Sequence, residues 1–291
     1  MISSELLKKN IESKLDWAAD YLGLCEVSSP RLDAELIMSH VLERKKAEFF
    51  TTAFEANYSF KEDELKRFER LVHLRGTRYP LQYITGLVDF MGLDLKVKPG
   101  VFIPRPETEI LVENATRRVS GNPFILDLCT GSGNIAVSLA KFLEGATVMA
   151  SDISDDALKI AEDNIKLHKR NNIKLIKSDL FENIDEYRID LIISNPPYVA
   201  EEDFESLMPE LLYEPISSLY GGSDGLYFYR KIFDKASFFL AKDGYLIVEI
   251  GYNQIEQIKN ILSVSNKLFV EEVVKDYNGI DRVVVIRRKN G

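Results

Sequence analysis

A chain of 291 residues with 45% apolar content can bury one large core and a smaller one. Its net charge is −9, with 13 basic against 14 acidic residues up to position 80 and 24 against 32 beyond it, which disfavours duplex nucleic-acid binding on a basic surface. Two cysteines, Cys25 and Cys129, with no Cys-x-x-Cys pair, and three scattered histidines, His40, His73 and His168, exclude a disulfide framework and a zinc site and point to reducing cytosol. Lys8, Lys9, Glu12 and Lys14 interrupt any apolar signal core after Met1, and no 18-residue apolar run occurs, so a soluble cytoplasmic protein is expected.

The first 80 residues read as helices. Met1 to Leu22 is amphipathic, Ser29-Pro30 is an N-cap and first-turn pair opening Arg31 to Glu43, and Ser59-x-x-Glu62 is a capping box for a helix reaching about Leu74. Trp17, Tyr21 and Leu36 are the expected core of this small helical domain, residues 1–77. Tyr79 to Lys98, broken by Gly86 and Gly92, reads as an extended or hairpin linker, residues 78–104.

Residues 105–291 carry seven strand-like runs: Pro123 to Cys129, Ala146 to Asp152, Ile173 to Asp179, Ile189 to Asn195, Tyr245 to Gly251, Leu268 to Asp276 and Arg282 to Arg288. Helix-length segments separate the first five. Only Tyr277 to Asp281 joins the last two, too short for a parallel crossover, so they should form an antiparallel hairpin at the end of an α/β sheet.

The first strand runs into Cys129-Thr130-Gly131-Ser132-Gly133 and then a periodic helix, a nucleotide-type turn in which glycine lets the backbone bend tightly and approach a ligand. Asp152, 19 positions after Gly133, ends the next strand where an acid binds ribose hydroxyls, although it could instead cap the following helix, whose first turn holds Asp155 and Asp156. Ala136 is permitted as the third small residue of a dinucleotide turn, yet Asp127 at the strand end would repel a pyrophosphate and suit the sulfonium and ammonium of S-adenosyl-L-methionine. Asp179 is a candidate acceptor for an adenine amino group beside Leu180, and Phe181 a candidate stacking partner or a core residue.

Asn195-Pro196-Pro197-Tyr198 ends the fourth strand with hydrogen-bond acceptors beside an aromatic face, a combination suited to a planar NH2 group and so to nitrogen alkylation. The same residues also serve ordinary turns. Gly221-Gly222-Ser223-Asp224-Gly225 lacks the Lys-Ser/Thr of a P-loop and reads as a structural turn. Glu249 ends a strand near the binding edge, where it also fits a plain solvated end residue.

These residues resemble the HemK/PrmC family of protein glutamine methyltransferases over nearly the whole chain. The matching stretches are Arg78 to Gly86, Phe102-Ile103-Pro104-Arg105-Pro106-Glu107-Thr108-Glu109, the glycine turn, Asp152-Ile153-Ser154, Asn195 to Tyr198, Glu214-Pro215, Gly221 to Leu226 and Glu249-Ile250-Gly251. Ile103 to Glu109 is the most specific, because the Asn-Pro-Pro-Tyr motif also occurs in nucleic-acid amino methyltransferases. The glycine expected at the start of the cofactor turn is Cys129 here, which puts a thiol close to the cofactor.

The resemblance implies a Rossmann-like class I S-adenosylmethionine-dependent methyltransferase domain behind a helical substrate-recognition domain. Its implied activity is methylation of the glutamine amide in the Gly-Gly-Gln motif of peptide-chain release factors, without direct nucleic-acid or membrane binding. Asn195, Pro196 and Tyr198 would be catalytic; Cys129, Thr130, Gly131, Ser132, Gly133, Asp152, Asp179, Leu180 and Asn195 would contact the cofactor. Pro197, Arg105 and Glu107 would join the substrate side, although Arg105 and Glu107 also fit a Pro-stiffened linker in which Glu107 caps a helix. The competing readings are a nucleic-acid amino methyltransferase, an NAD-dependent oxidoreductase, which Asp127 disfavours, and a non-catalytic binding protein.

Overall fold

In the computed structural model, residues 11–45, 48, 60–185, 188–265 and 267–289 are described. The chain divides into two units, one comprising the described residues of Met1–Gly86 with Met208–Tyr213, the other Leu87–Leu207 with Glu214–Gly291. No helix among the described residues is long and apolar enough to cross a membrane.

In the first unit, helices α1 (Ile11–Leu24), α2 (Pro30–Leu42), α3 (Glu62–Gly76) and α4 (Leu81–Thr85) enclose a core of Leu15, Leu22, Ile37, Met38, Phe68 and Val72. Leu15, Ala18 and Leu22 recur at the three-to-four residue spacing that puts them on one helix face. That spacing leaves Trp17 on the neighbouring face, 37% exposed, and Tyr21 and Leu36 half-buried, so these three are not the centre of the core as expected. Pro30 does occupy the first turn of α2, but the Ser29 side chain makes no cap bond. Ser59 and the first ten residues lie outside the described residues; α3 starts at Glu62, with the Lys61 amide donating to the Glu64 carboxylate at 2.9 Å.

Two arginines fix Met208–Tyr213 within this unit. Buried Arg75 donates to Asp33 at 2.7 Å and to Glu210 at 3.0 Å, and Arg78 grips both oxygens of Glu210 at 2.7 Å. The expected extended stretch from Tyr79 begins instead with α4, because Gly86, at φ +74°, closes one helical turn before the strand starts.

The second unit opens with a hairpin, β1 (Leu87–Phe90) and β2 (Leu93–Lys96), and helix α5 (Glu107–Thr116). Then come β3 (Phe124–Leu128), α6 (Asn134–Phe142), β4 (Thr147–Asp152), α7 (Asp155–Leu167), β5 (Ile173–Lys177), β6 (Ile189–Ser194), α8 (Tyr227–Phe239), β7 (Leu240–Glu249), α9 (Ile255–Ser263), β8 (Leu268–Lys275) and β9 (Asp281–Arg288). The sheet order is β5-β4-β3-β6-β7-β9-β8, parallel through β7 and antiparallel at β9 and β8, the class I methyltransferase arrangement expected from the sequence. Successive residues of the apolar strands feed opposite layers: Leu126 and Leu128 join one core, Ile125 the other.

Two details differ from expectation. Among the described residues between β5 and β6 there is no helix; tight turns at Asp179–Glu182 and Phe181–Ile184 bury Leu180, Phe181 and Ile184 and cover the sheet in its place. β7 starts at Leu240, because Leu240 pairs with Ile189 before an irregularity at Lys242-Asp243-Gly244 disguises the strand as a turn.

Candidate active site

The register of three strands brings the predicted motifs together. Leu128 of β3 is paired with Ser151 of β4 on one side and Ser194 of β6 on the other, and neighbouring strands lie about 4.8 Å apart. The residues that follow each strand end, Cys129 to Gly133, Asp152 and Asn195, therefore converge at the carboxyl edge of the sheet. Two bonds lock the edge: Thr130 N–H to Ser151 O at 2.9 Å and Ser194 Oγ–H to Leu128 O at 2.9 Å.

The turn after β3 uses left-handed backbone at Cys129 (φ +59°), Gly131 (+55°) and Gly133 (+80°). A Cβ on Gly133 would stand 3.1 Å from the Cβ of Ala161, so glycine there lets the start of α6 lie close on α7. Asp152 accepts the Gly131 amide on Oδ2 and the Ser154 amide on Oδ1, both at 2.9 Å, and burial raises its pKa against these bonds. The side-chain cap of α7 is Ser154, whose hydroxyl accepts from the Ala157 amide at 3.2 Å. Asp152 thus ties the turn to the neighbouring strand. Ser132 is buried, its carbonyl held by Asn164 at 2.9 Å, while its hydroxyl has no partner among the described residues.

Asp127 was expected to face a ligand; it is wholly buried and accepts the Thr130 hydroxyl at 2.6 Å. Burial, with the Asp152 charge adding, pushes its carboxyl up to about 7 against that bond. Burial likewise pushes the Cys129 thiol up. Asp179 lies 3.3 Å from Lys231, and with Leu180 (φ +50°) it lines a cavity of about 70 Å³. Phe181 stacks on Phe239, ring centres 4.6 Å apart, and is a core residue rather than a free stacking surface. The turn carries no basic residue between Arg118 and Lys141. A glycine turn with no cation of its own, beside Asp152 and with Lys231 already paired to Asp179, suits ribose hydroxyls and a positively charged ligand better than a pyrophosphate.

Asn195 follows β6 half-buried, its Nδ2 donating to Thr108 Oγ1 at 3.0 Å; Thr108 in turn donates to Glu249 Oε2 at 2.6 Å. Pro196 and Pro197 are buried. The Tyr198 hydroxyl donates to Glu249 Oε1 at 3.4 Å, and burial beside that carboxylate raises its pKa, so it stays a phenol. The glycine-rich turn is built against this motif: a Cβ on Gly221 would stand 2.7 Å from Tyr198 Cα, and one on Gly225 would stand 2.4 Å from Tyr198 O. Glu249, which on sequence alone also fits a solvated end, is 1% exposed, and burial pushes its carboxyl up to about 7 despite the Thr108 bond and nearby Arg282.

In the Ile103 to Glu109 segment, Arg105 pairs with Glu214 and lies over the Phe102 ring at 4.8 Å, and Glu214 also accepts the Ile103 amide at 3.0 Å. Glu107 is the first residue of α5, with Pro106 at the cap position. Glu109 accepts the Met91 amide at 2.6 Å and anchors the hairpin.

Three contributors were not singled out from the sequence. Thr108 sat inside a recognised motif, but its hydroxyl resembled that of any first-turn threonine. Gln254 accepts the Gly251 amide at 2.8 Å and donates to the Tyr198 carbonyl at 2.9 Å, with no sequence signal to mark it. Glu214 was visible only as part of a matching dipeptide.

Known proteins align with both units. The family model described as "Methyltransferase small domain" matches residues 92–224, and that described as "PrmC N-terminal domain" matches residues 14–86. The chain is 40% identical over 276 residues to a release factor glutamine methyltransferase of Geobacter sulfurreducens, covering 94% of this chain and 95% of that one. It is equally 40% identical over 276 residues to one of Fusobacterium nucleatum, covering 93% of this chain and 77% of that one. Among solved structures, a methyltransferase from Pyrococcus furiosus is similar in fold at a TM-score of 0.54 and 19% identity, covering 77% of this chain and 98% of that one.

Proposed function

Because this chain belongs to the release factor glutamine methyltransferase family, we propose that it transfers a methyl group to the side-chain nitrogen of the glutamine in the Gly-Gly-Gln motif of peptide-chain release factors. S-adenosyl-L-methionine supplies the methyl group. The observation that carries the reading is the register of β3 and β6, which sets the glycine turn and Asn195 on adjacent strand ends.

The cofactor side is assigned to Cys129, Thr130, Gly131, Ser132, Gly133, Asp152, Asp179, Leu180 and Asn195. Asp152 receives ribose hydroxyls on lone pairs left by its two backbone donors, and Asp179 receives an adenine amino group. The absence of a cation on the turn favours a sulfonium ligand over a dinucleotide.

On the acceptor side, Asn195 Oδ1 and the Pro196 carbonyl each take one hydrogen of the glutamine amide, and Tyr198 packs against the amide plane. Pro197, Arg105 and Glu107 shape the approach. Fixing both hydrogens aims a weakly nucleophilic nitrogen at the methyl carbon, and such positioning lowers a barrier by as much as about 7–11 kcal/mol in favourable cases. No strong base is required, since the proton leaves after the nitrogen has become cationic. The release-factor substrate makes this a cytoplasmic activity.

The test is to incubate the pure protein with labelled S-adenosyl-L-methionine and, separately, a release factor, the same factor with its Gly-Gly-Gln glutamine replaced, and mixed DNA and RNA. Label on the intact factor alone is the expected result. Label on nucleic acid alone would reassign the chain to base methylation.

A further inference from the structure

Asn195 can serve as an acceptor only if its amide faces the right way. Turned by 180°, it would offer N–H hydrogens to the N–H hydrogens of the incoming amide. The choice is made two residues away. Thr108 Oγ1 has a single proton, and the buried Glu249 carboxylate takes it at 2.6 Å. A hydroxyl that has given away its proton shows only lone pairs to its other neighbour, so Asn195 must present Nδ2, as it does at 3.0 Å, and turn Oδ1 away. Thr108 and Glu249 are each 1% exposed, so water does not compete for the bond between them.

We propose that Thr108 and Glu249 are positioning residues that set the orientation of the Asn195 amide through a relay of directed hydrogen bonds, holding Oδ1 toward the acceptor nitrogen. The inference rests on the glutamine-methylation reading for what the orientation achieves, not for the orientation itself. Glu249 is faced by Thr108 and Glu107 of α5, by Tyr198, by Tyr229 of α8, whose hydroxyl donates to its backbone carbonyl, and by Arg282 of β9. The Arg282 charge favours the ionised carboxylate the relay needs, whereas Glu107 and burial oppose it. A protonated Glu249 could donate to Thr108, release the threonine proton toward Asn195 and invert the amide. Activity should therefore decline on acidification through about 7, the carboxyl's own range.

The test compares Thr108→Val, Thr108→Ser and Glu249→Gln on the full chain, with melting temperature monitored. Thr108→Val should lower kcat by about tenfold to a hundredfold with cofactor affinity little changed, and Thr108→Ser should restore it. Glu249→Gln should remove the acidic limb of the pH profile. An independent readout needs no turnover: hydrogen exchange of the Asn195 side-chain amide, assigned by NMR through its loss in Asn195→Asp. Slow exchange in the wild type and in Thr108→Ser, lost in Thr108→Val, is the expected pattern. A Thr108→Val chain with normal kcat, or with the exchange protection intact, overturns the relay, as does an unchanged acidic limb in Glu249→Gln. If the wild-type chain methylates no release factor, the function fails while the exchange measurement still decides the relay.

Discussion

Gly131 donates its amide hydrogen to Oδ2 of Asp152 at 2.9 Å, so the turn after β3 and the end of β4 are joined by one charge-assisted bond. Asp152→Ala removes the acceptor from both Gly131 and Ser154 as well as the proposed ribose contact. Bonds to a charged group are each worth about 1.5–3 kcal/mol, so cofactor affinity measured by calorimetry should fall by about tenfold to a hundredfold. Asp152→Asn keeps one acceptor oxygen and should lose less.

Asn195→Ala tests the acceptor end separately. Asn195 is one of nine residues assigned to the cofactor side, and its side chain bonds to Thr108 and not to the glycine turn, so cofactor affinity should stay within a few fold of wild type while methyl transfer falls by about 10²–10³. Tyr198→Ala should be milder, and Tyr198→Phe milder still, because its hydroxyl sits 3.4 Å from Glu249. Near-normal turnover in Asn195→Ala would remove the motif from the chemistry.

The parts of this site legible in the sequence are those that the backbone dictates. Strand-end position follows from the apolar runs, and those runs placed Gly131, Asp152 and Asn195 at one edge. Side-chain partnerships were not legible, because they depend on which residues the fold makes neighbours across long separations, as with Thr108 and Glu249 or Arg105 and Glu214. Burial was misjudged for the same reason: Asp127 and Glu249 look like strand-end carboxylates, yet both lie at 0–1% exposure. Trp17 shows the converse, since a large aromatic suggests a core, but helical phase gave that place to Leu15, Ala18 and Leu22.

Asp127 gives a pH signature. Its folded carboxyl is raised to about 7, above the unfolded value of 3.8, so the folded state holds the proton over the range in which the unfolded state loses it. Stability therefore drops as pH rises from about 4 to about 7 and levels off above. Asp127→Asn, neutral throughout, should gain on the wild type across that window, by about 2–4 kcal/mol at its top. Urea midpoints at several pH values would show this, and parallel curves would mean that Asp127 is ionised in the fold.

Cys129 combines a raised thiol pKa with a left-handed backbone. Alkylation by a bulky reagent should be slow at neutral pH and, once complete, should abolish cofactor binding; retained binding would take Cys129 out of the site. Cys129→Gly relieves about 1–2 kcal/mol of backbone strain while losing side-chain packing, so its stability should stay within about 1 kcal/mol of wild type. Cys129→Val, β-branched at the same φ, should be clearly less stable.

Arg105 can be tested as a brace or as a substrate contact. Glu214 has a side chain only 1% exposed, with Arg105 as its ion-pair partner and the Ile103 amide as a further donor. Removing the arginine leaves a buried charge with one backbone donor, which costs about 3 kcal/mol. Arg105→Ala should therefore lower the unfolding midpoint, and Arg105→Ala with Glu214→Gln should recover part of the loss, because the neutral amide needs no counter-charge. If Arg105→Ala instead leaves the midpoint unchanged and raises KM for the release factor alone, the guanidinium serves the substrate and the Glu214 pair only parks it.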